Sequence, residues 1–192
     1  MTSYTLFSQG ATGASLTSDA NPYTFGVQFS VSQPSLTLTA IWFYSAATAA
    51  SLPATIALYV VSGQTLVSSQ AATWSGAAAS GWVRAAWTSP PALTASASYK
   101  ACVFDSAGVG PGWYSATANY WSSGPGSGGI TSGPLSAPNN AGGDGGQDTF
   151  ASPSLAYPAS SFNAGNYWVD PEVTTAAPGP PAAQVVAFMS SM

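Results

Sequence analysis

The chain is 192 residues long and carries two basic side chains, Arg84 and Lys100, six acidic ones and no histidine. Two cations cannot neutralise a row of phosphates, which excludes nucleic-acid binding and attachment to anionic membranes. Without histidine there is no Ser-His or Cys-His nucleophile and no histidine metal ligand.

A typical soluble surface is roughly a quarter to a third charged. Here the solvated surface must instead be built from Ser, Thr, Ala, Gly, Asn and Gln, which repel neighbouring copies weakly and suit a neutral partner. No run approaches the roughly 18 apolar residues of a membrane span. Met1 to Ala20 lacks a basic n-region and a continuous apolar h-region, so a cytoplasmic origin is expected unless a signal has been trimmed. The single cysteine, Cys102, sits in an apolar run and reads as a small buried hydrophobe.

In chain order, Tyr4 to Phe7 reads as an edge strand and Ser8 to Pro22 as a surface connection. Tyr23, Phe25, Val27, Phe29 and Val31 alternate on one face, which predicts a half-buried strand. After the turn at Ser32-Gln33-Pro34, Ser35 to Tyr44 is rich in β-formers. Strict alternation there puts Thr37, Thr39, Ile41 and Phe43 on one side and Leu38, Ala40, Trp42 and Tyr44 on the other. Ala46 to Pro53 is a loop, and Thr55 to Val61 and Thr65 to Ala71 form a hairpin about Ser62-Gly63-Gln64. Trp74 precedes the loop Ser75 to Ser80. Further strands are expected at Gly81 to Trp87, Ala92 to Thr94 after Pro90-Pro91, and Ser98 to Asp105.

Gly108 to Pro158 is dense in Gly, Ser, Pro and Asn but too aromatic for a simple linker. Short strands are expected at Trp113 to Trp121 and Thr149 to Ala151, around a Gly-rich excursion. The run Asn166-Tyr-Trp-Val-Asp170 alternates as a final strand packed on both faces. Short strands with turn signals about every ten residues predict an all-β, antiparallel β-sandwich with a long Gly-rich loop. The domain is expected over residues 1–173, with a Pro-rich linker at 174–181 and an apolar, extended C-terminal arm at 182–192.

These strands resemble a known family, the bacterial extracellular domain of unknown function 4082. The resemblance spans about Tyr4 to Val173. It is carried by Tyr23-Thr-Phe-Gly26 with Phe29, by Ile41-Trp-Phe-Tyr44, Ser80-Gly-Trp82 and Pro91 followed by Tyr99, and by Gly112-Trp-Tyr114 and Asn166 to Asp170. It implies a jelly-roll-like β-sandwich, an accessory module of secreted, often carbohydrate-active or adhesive proteins, and supplies no catalytic residues. Two departures stand out. Trp42 occupies a position that is commonly basic in the family, and the chain stands nearly alone behind its own Met. An extracellular-type module without an export signal needs another route out of the cell, and a virion component has one through lysis.

The expectation is therefore a non-enzymatic virion surface or structural protein, a bacteriophage capsid decoration or minor tail protein. Its partners would be other virion proteins or itself, with no cofactor. The rival is an extracellular module recognising neutral host-wall glycan, and a weaker third reading is an accessory domain cut from a larger secreted enzyme. Trp42, Trp113, Tyr114, Tyr120 and Trp121 are the expected partly exposed binding aromatics, since flat rings stack on sugars or anchor interfaces. Trp82, Trp87 and Trp168 are expected in the core. Val185, Val186, Phe188 and Met189 form the expected interface arm, docking in cis or adding a strand to a neighbour's edge. Asp144 and Asp148, in a Gly-rich stretch, are weak calcium candidates without the spacing of a named loop. Asp170 and Glu172 are two apart on one strand face, a carboxylate pair that either supports glycosidase-like chemistry or solvates the strand end.

Overall fold

A computed structural model of the chain describes residues 1–11, 15–16, 21–45, 52–76, 81–105, 114–139, 147–151 and 154–175. It is a β-sandwich of two antiparallel sheets. The first runs β1 (Ser3–Tyr4), β15 (Val169–Thr175), β4 (Leu36–Ser45), β8 (Gly81–Ala86), β7 (Trp74–Gly76), with β9 (Ala92–Leu93) also on β4. The second runs β12 (Ile130–Ser132), β13 (Leu135–Ala137), β3 (Tyr23–Val31), β10 (Ser98–Asp105), β5 (Thr55–Val60), β6 (Thr65–Ala71), with β14 (Gln147–Ala151) also on β3. A small ladder joins β2 (Ser15–Leu16) to β11 (Ser115–Ala116).

Each central strand is closed on one side by a single long strand and on the other by two short ones in succession. β3 carries β10 on one edge, and β14 then β13 on the other. β4 carries β15 on one edge, and β8 then β9 on the other. The inner faces meet in one core, where Phe25, Val27, Phe29 and Val31 of β3 pack with Leu36, Leu38, Ile41 and Phe43 of β4. The alternation expected in β3 is thus what the core uses, with Tyr23 packed half-buried at its margin. The β5–β6 hairpin also forms as expected.

Strict alternation fails in β4. Leu38 pairs with Val173 and Ala40 with Glu172, so Thr39 is an extra residue in a β-bulge. The bulge resets the phase, so that Leu36 and Leu38 share the inner face with Ile41 and Phe43 instead of opposing them. Thr37 and Thr39, expected beside Ile41, lie half-buried instead. The first expected strand is corrected as well. Only Ser3–Tyr4 pairs, while the N–H groups of Leu6 and Phe7 turn to the carboxylate of Asp170 at 2.7 and 3.0 Å. The last strand begins at Val169 and runs to Thr175, because Trp168 takes a left-handed φ of 55° that breaks the extension from Asn166. The expected strand over Trp113 to Trp121 contracts to β11, and the Gly-rich excursion contains the hairpin β12–β13, which turns through Gly133 at φ 56°.

The outer face of the second sheet is covered by residues 154–160. Leu155 and Tyr157 pack on Ala57, Tyr59 and Cys102. Lys100 is fully buried there, its Nζ donating to the Pro158 carbonyl at 2.9 Å and lying 4.5 Å from the centroid of the Tyr157 ring. Gly26 makes this cover possible, since a Cβ there would lie 2.8 Å from Cys102 Sγ and 3.2 Å from Pro158 Cγ. Gly26→Ala is accordingly expected to cost about 1–3 kcal/mol by overpacking, read as a lower urea midpoint with an unchanged slope.

Candidate functional site

Alternation on β15 points Asp170 and Glu172 away from the core, toward Trp42 of β4 and Arg84 of β8. The Glu172 carboxylate accepts from Arg84 Nε and Nη2 at 2.8 Å each, from Trp42 Nε1 at 2.8 Å and from Thr39 Oγ1 at 3.2 Å. The Arg84 guanidinium holds this carboxyl below its ordinary value, helped by the indole and hydroxyl donors. Asp170 is fully buried and receives Leu6 N, Phe7 N and, at 3.4 Å, Gln9 Nε2. Burial pushes its carboxyl up to about 8, against the pull of the two backbone N–H groups.

Neither acid solvates a strand end. Asp170 ties down the N-terminal segment, and Glu172 gathers three strands. Both basic residues of the chain are also engaged internally, Arg84 in the ion pair with Glu172 and Lys100 beneath residues 154–160.

The predicted binding aromatics separate. Trp42 is half-buried, bonded to Glu172 and 6.0 Å from the Arg84 guanidinium carbon. Trp113 lies outside the described residues. Tyr114, Tyr120 and Trp121 are corrected from partly exposed to buried. Tyr120 and Trp121 pack on Phe7, with ring centroids 6.2 and 6.1 Å away, and Tyr120 on Trp168 at 5.5 Å. Gly124 and Gly126 permit this, since a Cβ at Gly126 would lie 2.7 Å from both rings. Of the tryptophans expected in the core, Trp87 and Trp168 are buried, and Trp82 packs half-buried against it. Val185, Val186, Phe188, Met189 and Asp144 lie outside the described residues. Asp148 pairs through its backbone with Gly26.

A different site appears where residues 114–121 meet residues 161–168. Thr117 and Asn166 exchange backbone hydrogen bonds at 3.0 Å, Asn119 N donates to Asn163 O at 2.7 Å, and Trp121 N to Ala164 O at 3.0 Å. Between the segments lies an apolar cleft of about 210 Å³, lined by Tyr114, Ala116, Ala118, Phe162, Asn163, Gly165 and Tyr167. No lining residue is charged. Phe162 stands at its rim, 66% exposed. The turn that presents it is stiffened by Gly165 N donating to Phe162 O, and it uses left-handed backbone at Asn163 (φ 52°) and Ala164 (φ 44°).

Costs concentrate here. Asn119 and Trp168 are also left-handed. Among the described residues, the buried polar atoms without a partner are Trp121 Nε1, Ser161 Oγ, Asn166 Nδ2 and Trp87 Nε1, all but the last on these two segments. Strain and unsatisfied polar groups of this kind gather at sites held for function. Tyr114, expected as a partly exposed binding aromatic, lines the cleft from a buried position, and Phe162 was not expected; its signal is a lone ring among the turn-formers Ser160-Ser161 and Asn163-Ala-Gly165.

A family model described as Domain of unknown function (DUF4082) matches residues 9–169. No curated protein and no solved structure matches the chain.

Proposed function

The chain belongs to the DUF4082 family, a membership that carries no assigned activity; from that premise we propose that it is a non-enzymatic attachment protein acting through protein–protein contact. The setting proposed is a virion, as a bacteriophage capsid decoration or minor tail protein. The observation that carries this reading is the exposed Phe162 on a stiff turn beside an uncharged apolar cleft. An aromatic ring held in advance of binding loses little entropy on docking and makes a natural anchor. With Lys100 buried and Arg84 paired to Glu172, the surface carries little charge, which tolerates many copies at close quarters, as in a shell or tail.

A contact of this kind is insensitive to salt. The protein is therefore expected to stay on particles washed in about 1 M NaCl, where the screening length falls to about 3 Å. Phe162→Ala should release it while leaving stability within about 0.5 kcal/mol. Release of the wild-type protein by salt alone would contradict the reading. One observation favours a second reading, a glycan-binding module: Phe162 and Asn163 are neighbours in the cleft lining, and a ring stacks on a sugar while an amide side chain pairs with hydroxyls. Binding of wild-type protein, but not Phe162→Ala, to neutral cell-wall polysaccharide would select it.

A further inference from the structure

We propose that the cleft receives the apolar stretch Val185 to Met189 of a second copy of this chain, so that copies join head to tail; this rests on the attachment reading above. The sizes match. A protein cavity of about 150 Å³ holds a benzene ring, so a cleft of about 210 Å³ accommodates one aromatic side chain with an aliphatic neighbour. Val185-Val-Ala-Phe-Met189 supplies both, and no side chain among residues 176–192 is charged.

The chain also leaves the sandwich at the end far from the cleft. Thr175 pairs with Leu36 at the start of β4, whereas Tyr114 of the cleft bridges Ser45 at its end. β4 is ten residues long, so nine steps separate those ends, about 30 Å at 3.3 Å per residue. Fully extended, a chain of thirteen steps, the number from Thr175 to Phe188, would span about 40 Å at roughly 3.1 Å per residue. Reaching the cleft of its own copy would need a reversal and then most of that length. A copy placed end-on is reached directly.

Among the described residues the sheet edges are poor templates for strand addition. The edge strands β1, β7, β9 and β12 are two or three residues long, and β14, which pairs only with β3, has five. The longest edge, β6, exposes Leu66 and Val67, but it bulges between its pairings with Leu58 and Tyr59, which blunts it as a template for strand addition. Because donor and acceptor are different surfaces, the contact propagates into a ring or filament.

Sedimentation equilibrium of the full chain over a concentration series tests this, using Phe188→Asp and Ala118→Trp, the latter at an exposed position in the cleft lining. The wild-type chain is expected to grow beyond a dimer with concentration, and each variant alone to remain monomeric. An equimolar mixture should form one-to-one dimers, since the intact arm of Ala118→Trp can enter the intact cleft of Phe188→Asp. A synthetic peptide of residues 182–192 should disperse the wild-type oligomers, a readout independent of how either variant folds. A wild-type chain monomeric throughout, or oligomers indifferent to both the peptide and Phe188→Asp, would overturn the head-to-tail contact. If Phe162-dependent retention on particles survived that result, the attachment reading would stand without it.

Discussion

Trp121→Ala is expected to cost about 3–5 kcal/mol, the range for emptying a fully buried aromatic site. Typical domains are stable by about 5–15 kcal/mol in total, so the variant should unfold at a much lower urea concentration. The reason is placement. Trp121 is inaccessible, its ring lies 5.0 Å from Tyr120 and 6.1 Å from Phe7, and Gly126 packs directly on it. Its backbone N–H also holds Ala164, so the damage should spread to the cleft. Trp121→Phe should cost less, because it keeps a ring and removes an indole N–H that has no partner. A Trp121→Ala protein as stable as wild type would mean that this ring faces solvent as a binding aromatic.

The second large effect is on pH. The Asp170 carboxyl is raised from 3.8 to about 8 by burial. Between those values the folded protein holds a proton that the unfolded chain releases, so stability must fall as pH rises through that window. Glu172 acts with the opposite sign. Its folded value lies below the ordinary 4.5 because of Arg84, so its contribution is present above that value and is lost as pH falls through the folded one. The melting temperature is therefore expected to peak under mildly acidic conditions and to decline toward pH 8. Asp170→Asn should lower the whole curve, because an amide turns a donor toward one of the N–H groups of Leu6 and Phe7. It should also flatten the decline between about pH 5 and 8. A variant that kept the wild-type slope would place the alkaline limb on another group.

Local pattern made much of the sandwich legible. β3, β10 and the β5–β6 hairpin follow from alternation and turn chemistry within a few residues. The features that escaped depend on distant partners. The phase change in β4 comes from the bulge opposite Glu172, and no local rule announces it. Leu6 and Phe7 have the composition of a strand, yet the donor of Leu6 is captured by a carboxylate 164 residues away. The aromatics of the Gly-rich stretch look exposed by composition. The same glycines let Tyr120 and Trp121 fold inward, because a residue without a Cβ can lie flat on a ring. Of the cleft lining only Tyr114 stood out in the sequence, and in a more exposed role than it has; Phe162 did not, because its exposure depends on a turn whose left-handed backbone no local pattern announces.

Gold-labelled electron microscopy, with antibody to this chain on lysates and cells of the source, tests the attachment role most directly. Label on virus particles is the predicted result, on capsids for a decoration protein and on tails for a tail component. Label confined to cell surfaces or the medium would contradict the virion setting and leave glycan binding through Phe162 as the function to pursue.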